Sequence, residues 1–419
     1  MIPPLRQARQ ELVEAHQQLN ELSQLVMSPG QFDLEQLQAT AQRARELRDA
    51  FKAGLEGYFV ELDDGRQIFP HQLEALKAFA ANNSIDVEEL FSGITIEERR
   101  VIEAAFCDLG LTTLEGLRGV ESIKRLDVTE NRQLTSLAGI PTREIDVLYA
   151  SDCALSGDLS ALTGATKLKM LHVRNNENLI SLAGVPIQEI EHLSASECGL
   201  SGDLSALSGA KKLKKLAVWG NKDLTSLAGI PIQEIEELAA FSSGLSGDLS
   251  ALTGATKLRW LDVEDTSELT SLAGIPIQEI EGLNAGGCSL SGDLSALTGA
   301  TKLKILHVQR NKELTSLAGI PIQEITEIRA NNCALSGDLS ALTGATKLKR
   351  LDVQRNKKLT SLAGVPLQAI ERLDAIGCGL SGDHTFLSQA SNLRVLIVRK
   401  NTDLTLDRAE FSKRVHIEL

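Results

Sequence analysis

The chain has 419 residues, of which 24% are charged and 3% aromatic, and its formal net charge is −13. This acidic balance argues against nucleic acid or an anionic membrane as the main partner. No apolar run reaches the ~18 residues of a membrane span, and the first residues lack a signal-like apolar stretch, so we expect a cytoplasmic protein.

The first predicted unit, residues 1–57, carries two amphipathic stripes. Apolar residues with heptad-like spacing run from Leu5 to Val26, and a second stripe runs from Leu34 to Phe51 after a break at Pro29-Gly30. This pattern predicts an antiparallel helical hairpin. Two roles stay open. The hairpin packs as a structural cap, or it forms a coiled coil through residues 5–56 that docks a partner or self-associates.

Residues 58–106 are predicted to form a small N-terminal cap. Asp63-Asp64-Gly65 separates two apolar segments, 58–62 and 66–69, and is a hairpin-turn signal. Helical patterns follow at about 71–81, 87–91 and 96–106, so the N-terminal region as a whole is expected to be mainly α-helical. Because a repeat stack needs its first turn covered, the helix at 96–106 is the predicted cap.

A fixed period dominates residues 107–419. The string LSGDLSALTGATKL ends at Leu168 and returns in the same or nearly the same form after each step of 45 residues, at Leu213, Leu258, Leu303 and Leu348. A tripeptide L-x-V follows the same period, beginning at Leu126. A repeat of this size indicates a solenoid of stacked turns.

Each period contains two different turns. The first reads I-x-x-L-x-V-x-x-N-x-x-L-T-S-L-A-G-I-P, as at 123–141, and the second reads I-x-x-L-x-A-x-x-C-x-L-S-G-D-L-S-A-L-T-G-A-T-K, as at 145–167. These motifs resemble the leucine-rich-repeat family, and the LSGDLSAL half is similar to repeats of bacterial and protist members. The resemblance implies an α/β repeat solenoid, a horseshoe with parallel strands on one face, closed by a half-strand at 415–419. It names no ligand.

Asparagine and cysteine alternate where the chain turns away from each strand. An asparagine amide there can satisfy backbone groups left unpaired inside the coil, and Thr266 interrupts this series. The cysteines of the second turn are Cys153, Cys198, Cys288, Cys333 and Cys378, with Ser243 as the exception. Like turns lie roughly 9–10 Å apart, beyond disulfide reach, and no C-x-x-C spacing offers zinc ligands. We therefore expect buried free thiols and a reducing compartment.

An aspartate follows Ser-Gly in every second turn, at Asp158, Asp203, Asp248, Asp293, Asp338 and Asp383. A calcium ladder would need two of them to share an ion, but a spacing of roughly 10 Å prevents this. The alternative is that each aspartate caps the short helical turn that follows it. Capping explains the pattern better, and we expect no metal ion and no cofactor.

Sequence variation is confined to the strand residues that point away from the core. Outer residues such as Gln233 and Lys257 hardly change between repeats, whereas these strand residues change at almost every turn. Random drift should alter both sets, so the variation favours a recognition surface. The candidate partner-binding residues are Tyr149, Arg174, Trp219, Phe241, Trp260, Glu264, Arg310, Arg329 and Arg350.

The candidate surface is predicted to have aromatic residues at its centre and arginines toward one end. Trp219 and Phe241 fall in one column on successive turns, so their side chains should lie about 5 Å apart. Exposed aromatic residues at mid-surface are typical of binding hot spots. Such an elongated, charge-polarised face suits a protein or peptide partner better than a small molecule.

No catalytic constellation accompanies this surface. The sequence has no G-x-S-x-G, no H-E-x-x-H and no glycine-rich loop before a helix, so we expect no catalytic residues and no enzymatic activity. The predicted function is a protein-interaction module. The alternative is a multimeric scaffold assembled through residues 5–56, which would bind by avidity.

Overall fold

The computed structural model describes residues 59–419, together with Gln38, Gln42, Arg45 and Glu46, which are helical. The predicted helical hairpin at 1–57 otherwise lies outside the described residues. Its role as a cap or as a coiled-coil arm therefore stays a prediction.

The first described unit contains a hairpin and two helices, close to their predicted positions. Strands β1 (Val60–Glu61) and β2 (Gln67–Ile68) pair antiparallel around the Asp-Asp-Gly turn. Helix α1 (Pro70–Asn83) begins with proline, and the residue that follows it, Ser84, has a φ of 58°. Helix α2 (Val87–Phe91) follows, and the Asp86 side chain accepts a hydrogen bond from the Glu88 N–H. Proline at the first turn and aspartate before a helix are common N-terminal signals.

The predicted helix at 96–106 is wrong. This segment forms an antiparallel hairpin of β3 (Ile94–Glu97) and β4 (Arg100–Ala105), joined by Glu98 and Arg99 with φ values of 47° and 63°. Ala104 and Phe106 are buried while Ala105 between them is exposed, so this alternation and the β-branched residues of the segment favour strands here. The repeat stack is therefore capped by a strand, because β4 pairs in parallel with the first repeat strand.

The described residues form a main sheet of 16 strands, in which chain order equals spatial order from β3 onward. The first repeat strands are β5 (Arg125–Asp127), β6 (Val147–Tyr149), β7 (Met170–His172), β8 (His192–Ser194), β9 (Lys215–Ala217), β10 (Glu237–Ala239) and β11 (Trp260–Asp262). The remaining ones are β12 (Gly282–Asn284), β13 (Ile305–His307), β14 (Glu327–Arg329), β15 (Arg350–Asp352), β16 (Arg372–Asp374), β17 (Val395–Ile397) and β18 (His416–Glu418). Strand β18 confirms the predicted closing half-strand.

Neighbouring repeat strands are parallel and keep one register. Leu193 pairs with Leu171 on one side and with Leu216 on the other, so the central leucines form a continuous buried row. Few helices accompany these strands: the described repeats contain short 3-10 segments such as Ser160–Leu162 and no α-helix. Short two-stranded sheets lie outside the main sheet, as where Ser201–Gly202 pairs with Asp223–Leu224.

The asparagine series joins adjacent turns inside the coil. The Asn176 amide donates to the carbonyls of Ala150 at 3.0 Å and Val173 at 2.7 Å, and its oxygen accepts from the Leu155 N–H at 3.0 Å. Asn176 is fully buried, and so are its equivalents at Asn131, Asn221, Asn311 and Asn356. One side chain thus satisfies three backbone groups that would be costly to bury unpaired.

The cysteine series is structural. Each of the five ladder thiols donates to the carbonyl of a valine on the preceding turn, as Cys198 does to Val173 at 3.2 Å. Burial raises the pKa of Cys198 to about 11. All six cysteines are free: Cys198, Cys288 and Cys378 are buried as expected, Cys153 and Cys333 are only half-buried, and Cys107, outside the ladder, is exposed.

The aspartates of the second turn act as caps. Asp158 accepts a hydrogen bond from the Ser160 N–H at 2.9 Å, at the first residue of a 3-10 helix, and the other five repeat this contact. This bond lowers the pKa of Asp158.

The two exceptions to these series lie on adjacent turns. Thr266 replaces an asparagine, and its hydroxyl donates to the Val263 carbonyl at 2.5 Å. The Ala240 carbonyl, the counterpart of the one that Asn176 bonds, instead accepts from the Ser243 hydroxyl. Thr266 thus makes no bond to the Ala240 carbonyl. The Ser243 hydroxyl supplies that bond instead.

We predict that thiol-reactive dye labels one cysteine in the native protein and six after denaturation, because only Cys107 is exposed. A labelling time course followed by mass spectrometry measures this count. Cys107→Ser should bring the native count close to zero. Rapid native labelling of several ladder cysteines would contradict their burial.

We predict that Thr266→Asn stabilises the fold by about 1 kcal/mol, because an amide supplies hydrogen bonds to both neighbouring backbone segments. Chemical denaturation of the variant and the parent chain measures the change. Thr266→Val is the matched control, and it should destabilise the chain by removing the bond to Val263. A less stable Thr266→Asn variant would show that this turn no longer accommodates the asparagine geometry.

Candidate functional site

The strand face consists of the outward residues of the repeat strands, arranged in three columns across the sheet. The first column contains the residue before the buried central residue of each strand, and the second contains the residue after it. The third column contains the residue three positions beyond the central residue. At the centre of the sheet these are Lys215, Glu237 and Trp260 in the first column, Ala217, Ala239 and Asp262 in the second, and Trp219, Phe241 and Glu264 in the third. The parallel register brings residues of one column side by side.

An aromatic stack occupies the third column. The rings of Trp219 and Phe241 lie 4.8 Å apart and are inclined by 8°, as the column spacing predicts. The Arg174 guanidinium lies 4.8 Å from the centre of the Trp219 ring and is held by Glu197 at 2.7 Å. Both rings are half-buried instead of fully exposed, because each covers the other. The result is a pre-ordered apolar ridge.

Trp260 stands in the first column and is 37% exposed. Its ring lies across Gly282 on the next strand, where a Cβ atom would come within 2.0 Å of the ring. The aromatic stack and Trp260 lie on either side of the second column, which here contains Ala217, Ala239 and, on the strand of Trp260, Asp262. We call the surface formed by Ala217, Ala239, Trp219, Phe241 and Trp260 the aromatic groove.

Tyr149 belongs to a different cluster. It lies on β6, three strands before β9, which precedes Trp219. Its ring packs edge-on against His172 at 5.0 Å, and the Arg125 guanidinium lies 5.0 Å from its centre. Burial and the charge of His192 lower the pKa of His172. This cluster places an aromatic residue and a cation toward the N-terminal end of the face.

Glu264 organises the polar region beside the groove. Its carboxylate accepts from the side chains of Asn284 at 3.0 Å, Gln309 at 2.9 Å and Arg310 at 2.8 Å. Arg310 also pairs with Asp265 at 2.8 Å. Arg310 is therefore held within the face by two carboxylates.

Arg329 and Arg350, toward the C-terminal end of the face, pair with the same acid. Glu327 binds Arg329 at 2.9 Å and Arg350 at 3.2 Å, and it lies 3.2 Å from His307. Burial raises the pKa of Glu327, but the hydrogen bond with His307 and the charge of Arg329 outweigh it and leave the pKa lowered. The two arginines therefore share the single carboxylate of Glu327.

A hollow of about 430 Å³ opens on β14 to β16 beside these arginines. Its charged lining residues are Glu327, Arg329, Arg350, Asp352, Arg372 and Asp374. Arg372 grips the buried Asp374 through two bonds, at 2.7 and 3.1 Å. Sequence reasoning expected an open face and missed this hollow. The alternation of Glu-Ile-Arg, Arg-Leu-Asp and Arg-Leu-Asp on adjacent strands is its only sequence signal.

Three solved structures with a similar fold come from bacteria. Internalin InlF of Listeria monocytogenes has a TM-score of 0.59 at 18% identity and covers 83% of this chain and 94% of its own. A leucine-rich-repeat protein of Leptospira interrogans has a TM-score of 0.59 at 15% identity, with coverages of 82% and 97%. The functional domain of InlJ, also from Listeria monocytogenes, is described as including a cysteine ladder; its TM-score is 0.58 at 19% identity, with coverages of 76% and 68%. The chain has the leucine-rich-repeat fold.

No protein-family model matches the sequence, and no curated protein is significantly similar to it. The chain therefore shares its fold with these structures at little sequence identity. Its own internal repeats are the sequence evidence for that fold. Across residues 59–419 and the four described residues before them, no group of three histidine, cysteine or acidic residues could hold a metal ion, and no helix is long and apolar enough to span a membrane.

On the leucine-rich-repeat face the predicted site residues fall into four groups. Arg174, Trp219 and Phe241 form one stack, with Trp260 across the groove. Tyr149 and Arg310 lie in separate clusters on either side, and Glu264 joins the second of these. Arg329 and Arg350 meet at Glu327.

We predict that Gly282→Ala pushes the Trp260 ring away from the sheet without unfolding the chain, because the new methyl group overlaps only the far end of that side chain. In a Trp219→Phe background Trp260 is the only remaining tryptophan, so its emission can be read alone. The emission should shift to longer wavelength and become easier to quench. An unchanged emission would show that Trp260 does not rest on Gly282.

Proposed function

We propose that this leucine-rich-repeat chain is a protein-interaction module whose strand face binds a protein or peptide partner at the aromatic groove. The observation that carries the proposal is the pairing of a rigid aromatic ridge with an exposed tryptophan across a floor of two alanines. Aromatic residues supply large contact area with few rotatable bonds, and they dominate binding energy at protein interfaces.

The aromatic groove is ordered before any partner binds. Trp219 is fixed between Arg174 and Phe241, and Trp260 rests on Gly282. Side chains that are already held in place lose little conformational entropy on binding, which favours affinity. A flat surface of mobile lysines would lack this advantage.

The shape and charge of the face support a polypeptide partner. The groove opens along the sheet and is bordered by the Lys215–Glu237 ion pair at 2.8 Å, so it suits an extended segment better than an enclosed small molecule. The net charge of −13 and the pairing of the face arginines with carboxylates disfavour nucleic acid. The charged side chains of the face form ion pairs that stabilise it. We therefore propose that the face binds a partner without catalysing a reaction.

The scaffold alternative depends on residues 5–56, which lie outside the described part of the chain. Self-association through that segment therefore stays a prediction from its heptad-like spacing.

We predict that Trp219→Ala weakens peptide binding by at least about thirtyfold, since truncating a central aromatic anchor costs about 2 kcal/mol or more. Peptides would be selected from a displayed random library against the whole chain, then synthesised and titrated by fluorescence anisotropy. Phe241→Ala should behave similarly, with folding checked by thermal melting.

Ile180→Ala is the matched control, because Ile180 is a large apolar residue that is 55% exposed on the turn after an outer strand. This variant should bind like the parent chain. Equal binding by the Trp219, Phe241 and Trp260 alanine variants would place the binding surface elsewhere.

A further inference from the structure

The hollow on β14 to β16 contains a carboxylate that the surrounding arginines do not pair with. Asp352 is half-buried in the second column, between Arg329 on one neighbouring strand and Asp374 on the other. It accepts a hydrogen bond from the Gln354 backbone N–H at 3.1 Å, and the Gln354 side chain and the charge of Arg329 also favour its ionised form. Among the described residues, no ion pair includes Asp352.

The arginines near Asp352 are all engaged by other acids. Arg329 and Arg350 turn to Glu327, and Arg372 turns to Asp374 on its own strand. Burial raises the pKa of Asp352, and the neighbouring Asp374 charge acts in the same direction. A partly desolvated carboxylate of this kind gains most from a cation that enters the hollow.

We infer that the hollow on β14 to β16 receives a lysine or arginine side chain of the partner, whose cationic group pairs with Asp352. The inference rests on the proposed function, because it assumes that a polypeptide lies on the strand face. The volume of about 430 Å³ is ample for such a side chain, and Ile328 and Leu351 in the lining can contact its methylene groups.

The opposite choice, an anion bound by the arginines, is less favoured. Arg329 and Arg350 share a single carboxylate, but their side chains are 52% and 67% exposed, so solvent and salt screen their excess charge. Asp352 is less exposed, and its charge is screened less. The half-buried carboxylate, which has no ion-pair partner among the described residues, therefore decides the sign of the ligand.

The two anchor points define a spacing in the partner. Asp352 on β15 lies five strands from β10, the strand that precedes Phe241, which corresponds to about 24 Å at the usual separation of strands. An extended chain advances by about 3.4 Å per residue, so the basic residue should lie roughly seven residues from the apolar residue in the aromatic groove.

The experiment compares peptides selected from a displayed random library by the parent chain and by Asp352→Asn. Asparagine keeps the size of the side chain and the acceptor for the Gln354 N–H while removing the charge. The parent chain should enrich peptides with lysine or arginine at the stated spacing. Asp352→Asn should bind the best of them about tenfold or more weakly, as expected for loss of a charge-assisted bond.

Two controls make this comparison specific. Glu313→Gln removes the same charge from an exposed outer strand and should leave affinity unchanged. Replacing the basic residue of the peptide by methionine should weaken binding to the parent chain but cause no further loss with Asp352→Asn.

Three outcomes would overturn the inference. Peptides that depend on Trp219 but show no basic preference and no effect of Asp352→Asn would reject it while leaving the proposed function intact. Enrichment of acidic residues that is lost with Arg350→Gln would identify an anion site instead. If the folded chain selects no peptides, both the inference and the proposed function fail.

Discussion

The structure depends on the satisfaction of backbone groups that each turn carries into a dry interior. A coil wound from short strands must bend its backbone inside its own core, where unpaired N–H and C=O groups are costly. Asn176 meets this need with three bonds that join two turns, and its equivalents repeat them along the stack. Because the amide reaches one fixed distance, an insertion into a turn would break its bonds, and this constraint keeps the strands in a single register.

Because the register is fixed, the two sides of each strand have different roles. Inward strand residues are restricted to leucine, isoleucine, valine and alanine, whereas outward residues meet only their column neighbours and solvent. Chemistry can therefore change from turn to turn without loss of the fold. The alanine floor, the aromatic stack and the charged hollow are three such changes on one frame.

The sequence predicts features that depend on local chemistry repeated many times. The asparagine bonds, the buried thiols and the aspartate caps follow from residue type and period, and the Trp219–Phe241 contact follows from register alone. The cap at 96–106 failed because glutamates and arginines satisfy helical spacing as well as a hairpin, and the left-handed turn at Glu98-Arg99 has no glycine to mark it. The hollow was missed because a sequence gives the charges of Arg329, Arg350 and Arg372 but not the carboxylate toward which each one turns. Such choices depend on side-chain rotamers and competing partners.

The paired exceptions at Ser243 and Thr266 have a consequence for cooperativity. In a linear array, each turn is stabilised only by its neighbours, so the junction with the fewest cross-turn bonds sets where the array opens first. The ladder bonds are missing between β9 and β10 and between β10 and β11, because Ser243 and Thr266 bond carbonyls of their own turns. The aromatic groove spans both junctions with Trp219, Phe241 and Trp260. A ligand that contacts these aromatic residues would hold the adjacent turns together. Amide hydrogen exchange around these junctions would then slow on binding, even in leucines that the ligand never touches.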